Sequence, residues 1–153
     1  MGPVLSTRYV GIFFGVLFWL TTGSVNAAIS PAATSLEEER DWLDQATQLV
    51  NAAQSGQADA IQFNKDVRES RARLRKHIQQ ARNADLSPEH QQLHSQMLVV
   101  DVLLKSAAAC QTAGHIVCPP MLMSQLRTVL KNAYSKLDEV KKISNNFIVG
   151  GSQ

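Results

Sequence analysis

The stretch PEHQQLHSQMLVVDVLLKSAAACQ, residues 88–111, decides the predicted fold. Its apolar residues alternate at intervals of four and three, which places them along one seam of an α-helix. Ser87 can cap the start of this helix, Pro88 suits its first turn, and Gly114 is expected to stop it. The seam consists of Leu93, Met97, Val100, Leu104, Ala107 and Gln111.

Three other segments repeat the helical spacing and are poor in residues that build strands. The first begins at Ser35, which is followed three residues later by Glu38 in the pattern of a capping box, and it runs to the break at 55–56. The second covers residues 58–85. The fourth helix of the chain begins at Pro119-Pro120 and ends at Gly150-Gly151.

Each of these helices has a predicted buried face. On the first helix it is Leu36, Leu43, Ala46, Val50 and Ala53, widened by Trp42 and Leu49. On the second it is Ile61, Phe63, Val67, Leu74, Ile78 and Ala81, and on the fourth it is Leu122, Leu126, Leu130, Ala133, Leu137, Val140 and Phe147. Four amphipathic helices with short connections predict an all-α fold, an up-down-up-down four-helix bundle that is irregular if the first helix docks across the others.

The N-terminal segment has the order of a secretory signal. Arg8 precedes an apolar run of about 12 residues, shorter than the ~20 that span a bilayer, and Val25-Asn26-Ala27 fits a cleavage site. We predict a signal peptide over 1–27, a disordered lead over 28–34, a helical domain over 35–149 and a flexible tail over 150–153. The expected location is the periplasm, or alternatively the exterior, with a membrane anchor only if the signal is retained. No stable membrane span is expected after cleavage.

The two cysteines of the chain, Cys110 and Cys118, lie on either side of the corner between the third and fourth helices. Because thiols oxidise in an export compartment, we predict a disulfide between them. The same corner holds His115, Met121 and Met123, and these soft ligands with an imidazole are a second candidate, a copper site. Oxidation of the cysteines would remove the thiolates from such a site.

Three histidines form the main candidate metal site. In an antiparallel hairpin that turns near Leu86, His77 of the second helix lies level with His94 of the third, and His90 lies one turn from His94. Such a set can bind zinc or copper. The competing and favoured interpretation is that all three are ordinary histidines at the boundary of the core, since the sequence places no acidic residue beside them.

The second helix is strongly basic, with Arg68, Arg71, Arg73, Arg75 and Lys76 as a candidate surface for an anionic partner. The competing and favoured interpretation is internal ion pairing. The turn near Gly56 would place Glu37, Glu38, Asp41 and Asp44 level with Lys76, Arg75, Arg71 and Arg68.

Composition and motifs exclude several classes of function. The net charge of +2 falls to +1 when Arg8 is removed with the signal, which argues against a nucleic-acid binder. No phosphate loop, nucleophile elbow, zinc protease motif or haem attachment motif is present, so we expect no enzymatic activity. The favoured function is contact with another envelope or secreted protein or an envelope component, with no cofactor. The alternative is a metal-binding or metal-responsive protein that uses zinc or copper.

Overall fold

The chain forms four helices and one short β-hairpin. The structure is a computed structural model that describes residues 31–82 and 84–150, with side chains for 35–82 and 84–146. Its elements are α1 (Pro31–Ser55), α2 (Ala60–Ala81), α3 (Pro88–Ala108), β1 (Gln111–Thr112), β2 (His115–Ile116) and α4 (Pro120–Gly150). The predicted signal peptide at 1–27, the lead at 28–30 and the tail at 151–153 lie outside the described residues.

The prediction of an all-α protein with four helices is confirmed at that level. Consecutive helices pack against each other, α4 returns to pack on α1, and α3 and α4 share the most extensive contact. Every helix contributes apolar side chains to a single core. The largest fully buried apolar residues are Leu43, Leu74, Leu93, Met97, Leu104, Ile116, Leu126 and Leu137. In the part of the chain that the structure describes, no helix combines the length and apolar character that a membrane span requires.

Two helix starts are fixed by side-chain caps. Oδ1 of Asp59 accepts a hydrogen bond from the amide of Gln62 at 2.8 Å, and Oγ of Ser87 accepts one from the amide of His90 at 3.2 Å. The second cap follows the sequence prediction, with Pro88 in the first turn of α3. Because the cap fixes the start of α3, it also fixes the position of His90 in the first turn.

The first two helices differ from the prediction at their ends. Helix α1 begins at Pro31, so Ser35 lies inside it and residues 31–34 are helical where a disordered lead was predicted. Proline is compatible with a first turn and the alanines after it favour a helix. Helix α2 covers Ala60–Ala81, and not 58–85.

Ile61 was wrongly assigned to the buried face of the second helix, since its side chain is 82% exposed. Residues two positions apart on an α-helix point in widely different directions, so Ile61 and Phe63 do not share one face. The residues that α2 buries are Ala60, Phe63, Val67, Ser70 and Leu74.

The corner between α3 and α4 is a β-hairpin that the sequence analysis missed. Helix α3 ends at Ala108, and Gln111, predicted on its buried seam, is an exposed residue of β1. Ala113 and Gly114 both adopt positive φ, at 49° and 81°, as a two-residue hairpin turn requires. Backbone hydrogen bonds from Ile116 to Ala58 and from Ala60 to Gly114, each 2.9 Å, fasten the hairpin to the loop between α1 and α2.

Candidate metal centre

The centre of the site is Glu39, a glutamate on α1 whose side chain is fully buried. It lies three residues after Leu36 and four before Leu43, both of which are buried. Glu39 therefore occupies a core position of the α1 seam. Burying an isolated carboxylate costs several kcal/mol or more, so this charge needs partners.

The structure brings the three predicted histidines together around this carboxylate. The Nε2 atoms of His77, His90 and His94 lie 3.1, 2.7 and 2.5 Å from Oε1 of Glu39. The ring of His94 is 5.6 Å from that of His77 and 5.0 Å from that of His90, measured between centroids. His77 comes from α2 and the other two from the first turns of α3, so three helices meet at one oxygen.

The hydrogen-bond pattern of Glu39 is uneven. Three imidazole nitrogens converge on Oε1, whereas Oε2 is buried and has no hydrogen-bond partner among the described residues. A carboxylate oxygen has two lone pairs, so three N–H donors exceed the capacity of Oε1. A cation among these atoms would accept the Nε2 lone pairs and give the carboxylate a partner of opposite charge.

His77 has a second carboxylate on its other side. Its Nδ1 lies 2.9 Å from Oε2 of Glu38, which is largely exposed. With a metal ion bound, an Nδ1–H that donates to Glu38 would leave the Nε2 lone pair of a neutral imidazole free to bind the ion. This is the arrangement in which a carboxylate orients a metal-binding histidine.

The electrostatics favour an ionised glutamate. Burial alone would raise the pKa of Glu39, but the hydrogen bonds from His77, His90 and His94 outweigh it and hold that pKa well below its usual range. The hydrogen bond to Glu39 raises the pKa of His77 against the opposing effect of burial, with Glu38 adding to the increase. Glu39 therefore stays ionised in the interior, and a metal ion would have to displace the proton that His77 shares with it.

The distances suit a small transition-metal ion. The ligand atoms of Glu39, His90 and His94 all lie within 4.8 Å of one another. Two ligands of a tetrahedral zinc ion are ~3.3 Å apart. The Nε2 atoms of His90 and His94, now 2.7 and 2.5 Å from Oε1 of Glu39, would therefore have to move outward to admit an ion. His77, at 3.1 Å from Glu39, is a fourth ligand candidate.

Solvent reaches the cluster on the side of His77. A surface pocket there is lined by residues that include Glu38, Lys76 and His77, with Trp42 and Met97 below them. Trp42, one turn after Glu39, donates a 2.9 Å hydrogen bond from Nε1 to the carbonyl of Ser70. This bond holds α1 against α2 beside the pocket, and His77 is the member of the cluster that lines it.

The structure does not bring together the candidate copper ligands His115, Met121 and Met123. Met123 is buried at 7% exposure while Met121 is 73% exposed, so the two methionines face different environments. His115 lies on β2, and its Nδ1 is 3.3 Å from the carbonyl of Gln57. Residues two apart on the first turn of α4 diverge, which explains why the sequence spacing does not produce a joint site.

The predicted ladder of ion pairs between α1 and α2 is wrong for the described residues. Arg71 pairs instead with Asp101 of α3, at 2.9 Å, and Glu38 contacts His77. Arg73 donates to Oε1 of Gln45, an uncharged partner, at 2.8 Å. The estimated register did bring Glu38 beside the C-terminal part of α2. Arg71, however, turns to α3, and Arg73 reaches an uncharged side chain of α1.

Both cysteines are free thiols in the structure. Burial, with a hydrogen bond to the Cys110 side chain, raises the pKa of the Cys118 thiol to about 12. The amide of Val117 donates to the carbonyl of Cys110 at 2.8 Å, so the two cysteines flank the closing pair of the hairpin. The disulfide is not formed here and stays a prediction.

Oxidation of Cys110 and Cys118 is expected to increase the free energy of unfolding by about 2–3 kcal/mol, because the bond closes a short loop in the unfolded chain. Urea unfolding with and without reductant measures the difference. The double variant Cys110→Ser/Cys118→Ser should unfold identically in both conditions. Two free thiols by mass spectrometry in protein purified from an oxidising compartment would contradict the predicted bond.

The expectation that no acidic residue lies beside the histidines was wrong, and the spacing of α1 contains a signal for Glu39. Residues 36, 39, 43, 46, 50 and 53 continue the three-four alternation of α1, and Glu39 is the one charged member. A charge in an otherwise apolar seam indicates a buried polar partner. Asp101, buried at 4% exposure on α3, is a similar case.

Fold and site together define a four-helix protein with a buried carboxylate at the meeting point of three histidines. No protein-family model, no curated protein and no solved structure matches the chain. The chemistry of the cluster itself is therefore the basis for a functional conclusion.

Proposed function

We propose that this chain is an exported up-down-up-down helical bundle that binds one zinc or copper ion through Glu39, His90 and His94. His77 supplies the fourth ligand, with Glu38 as its orienting partner. The observation that carries the proposal is the convergence of three Nε2 atoms on one oxygen of a fully buried glutamate whose other oxygen has no described partner. The N-terminal signal pattern supports export.

The ligand types limit the choice of ion. Three imidazoles and one carboxylate suit Zn²⁺ and Cu²⁺, whereas the absence of sulfur among these four side chains disfavours Cu⁺. Four protein ligands fill the tetrahedral positions of zinc and leave none for a substrate. The ion in this proposal therefore has a binding or metal-responsive role, and catalysis is not part of it.

Isothermal titration of the purified protein with Zn²⁺, and separately with Cu²⁺, tests the proposal. We expect one ion per chain. Removal of a ligand in His90→Ala should weaken binding by at least about 100-fold, and loss of the orienting carboxylate in Glu38→Gln by about 10- to 100-fold, as is typical of outer partners.

His115→Ala is the matched control, since His115 lies on the hairpin and takes no part in the cluster. Its affinity should equal that of the unmodified chain. Absence of saturable binding for both metals would overturn the proposal, and so would equal losses in His115→Ala and His90→Ala.

The favoured sequence prediction, contact with an envelope component or another protein, remains a proposal beside this one. It is supported by a different part of the molecule, the solvent-facing surface of α2 and α3. The metal cluster and that surface are independent, so the failure of one leaves the other in place.

A further inference from the structure

The solvent-facing side of α2 carries a row of cations. The sequence of α2 contains six lysines and arginines and two acidic residues. Arg68, Arg75 and the capping residue Arg82 recur every seven residues, so they project from the same side of the helix. All three are exposed. The chain thus concentrates positive charge on one helix although its overall net charge is small.

These cations are not neutralised within the part of the chain that the structure describes. No carboxylate of a described residue lies within 4.0 Å of the guanidinium groups of Arg68 and Arg75, whereas Arg71 is paired with Asp101. Arg68, Arg71, Arg75 and Lys76 line a common shallow pocket. Such a concentration of donors suits phosphate oxygens.

The neighbouring helix α3 exposes apolar side chains. Leu98 and Val102 lie one turn apart on α3 with exposures of 42% and 58%. Leu98 lies one turn before Asp101, whose 2.9 Å ion pair with Arg71 ties this part of α3 to the basic side of α2. The outer side of the α2–α3 hairpin therefore combines exposed cations with exposed aliphatic groups.

We propose that this surface docks the protein on bilayers that contain anionic lipids. We call it the lipid face and define it by Arg68, Arg75, Lys76, Leu98 and Val102. Its cations would contact lipid phosphates while its aliphatic side chains enter the region between headgroups and acyl chains. This inference does not depend on the proposed metal site.

A bilayer fits this surface better than a soluble polyanion or a protein. A polyanion needs only the cations and leaves Leu98 and Val102 in water. Protein interfaces are typically anchored by aromatic side chains in addition to arginine, and the lipid face has none. An anionic bilayer provides both phosphate and hydrocarbon.

Vesicle co-sedimentation tests the inference with the full chain. We expect binding to vesicles that contain phosphatidylglycerol, little binding to vesicles of phosphatidylcholine alone, and weaker binding as salt rises. Arg68→Glu/Arg75→Glu should weaken binding by at least about 25-fold, since each cation near an anionic surface contributes about fivefold. Leu98→Asn/Val102→Asn should also weaken it.

Arg127→Glu/Lys131→Glu provides the control, because it changes the net charge equally at exposed positions of α4. This variant should retain nearly full binding, and thermal unfolding of every variant checks that it is folded. The inference is overturned if the control loses as much affinity as Arg68→Glu/Arg75→Glu. It is also overturned if Leu98→Asn/Val102→Asn binds normally while soluble polyphosphate displaces the protein, which would indicate a polyanion site.

Discussion

Zinc at about 100 times its dissociation constant is expected to raise the Tm of this protein by roughly 10 °C, because binding to the folded state alone contributes about 2.7 kcal/mol at that concentration. The Glu39→Ala variant should gain almost nothing. Glu39 is the buried anion to which all three imidazoles are directed, and the ion loses its charged ligand when that residue is removed. Differential scanning calorimetry with and without zinc measures both shifts.

His115→Ala again separates the site from the rest of the molecule, since it should show the full shift. A chelator added to the zinc-loaded protein should return its Tm to the metal-free value. The prediction would be wrong if zinc stabilised Glu39→Ala and the unmodified chain to the same extent, because the stabilising ion would then be bound elsewhere.

Replacing Arg71 by methionine is expected to lower the free energy of unfolding by about 3 kcal/mol, since it leaves a buried carboxylate without its partner. Asp101 is 4% exposed, and Arg71 Nε contacts its two oxygens at 2.9 and 3.1 Å. Methionine keeps most of the length of the arginine stem, so the loss reports mainly on the charge. Urea unfolding followed by circular dichroism gives the value.

The double variant Arg71→Met/Asp101→Leu should recover most of that loss, because it removes both charges and leaves apolar groups in their place. Arg68→Met, an exposed change three residues earlier, should alter stability by less than about 0.5 kcal/mol. Equal effects of Arg68→Met and Arg71→Met would show that the pair with Asp101 contributes nothing specific.

Local rules predicted much of the fold. The seam of α3 through Leu104 and Ala107 and the Ser87 cap followed from spacing and side-chain chemistry alone. The hairpin did not, because its two strands are only two residues each and are held by backbone bonds to the loop between α1 and α2. Bonds between segments distant in sequence leave no periodic pattern to detect.

The histidines of the site could be predicted from the sequence, but the glutamate could not. His77 and His94 could be placed side by side because both positions are measured from one turn. Glu39 comes from α1, whose rotation about its axis decides which of Glu37, Glu38 and Glu39 faces inward. Only the spacing from Leu36 and Leu43 distinguishes the buried glutamate from its two neighbours.

The hairpin and the histidine cluster close opposite ends of the four helices. The hairpin end is fastened by uncharged backbone bonds, which hold whatever the ionic conditions. The other end is held by a buried anion and its imidazoles. If the proposed ion binds there, its removal is expected to loosen this end alone, while the backbone bonds keep the hairpin end in place.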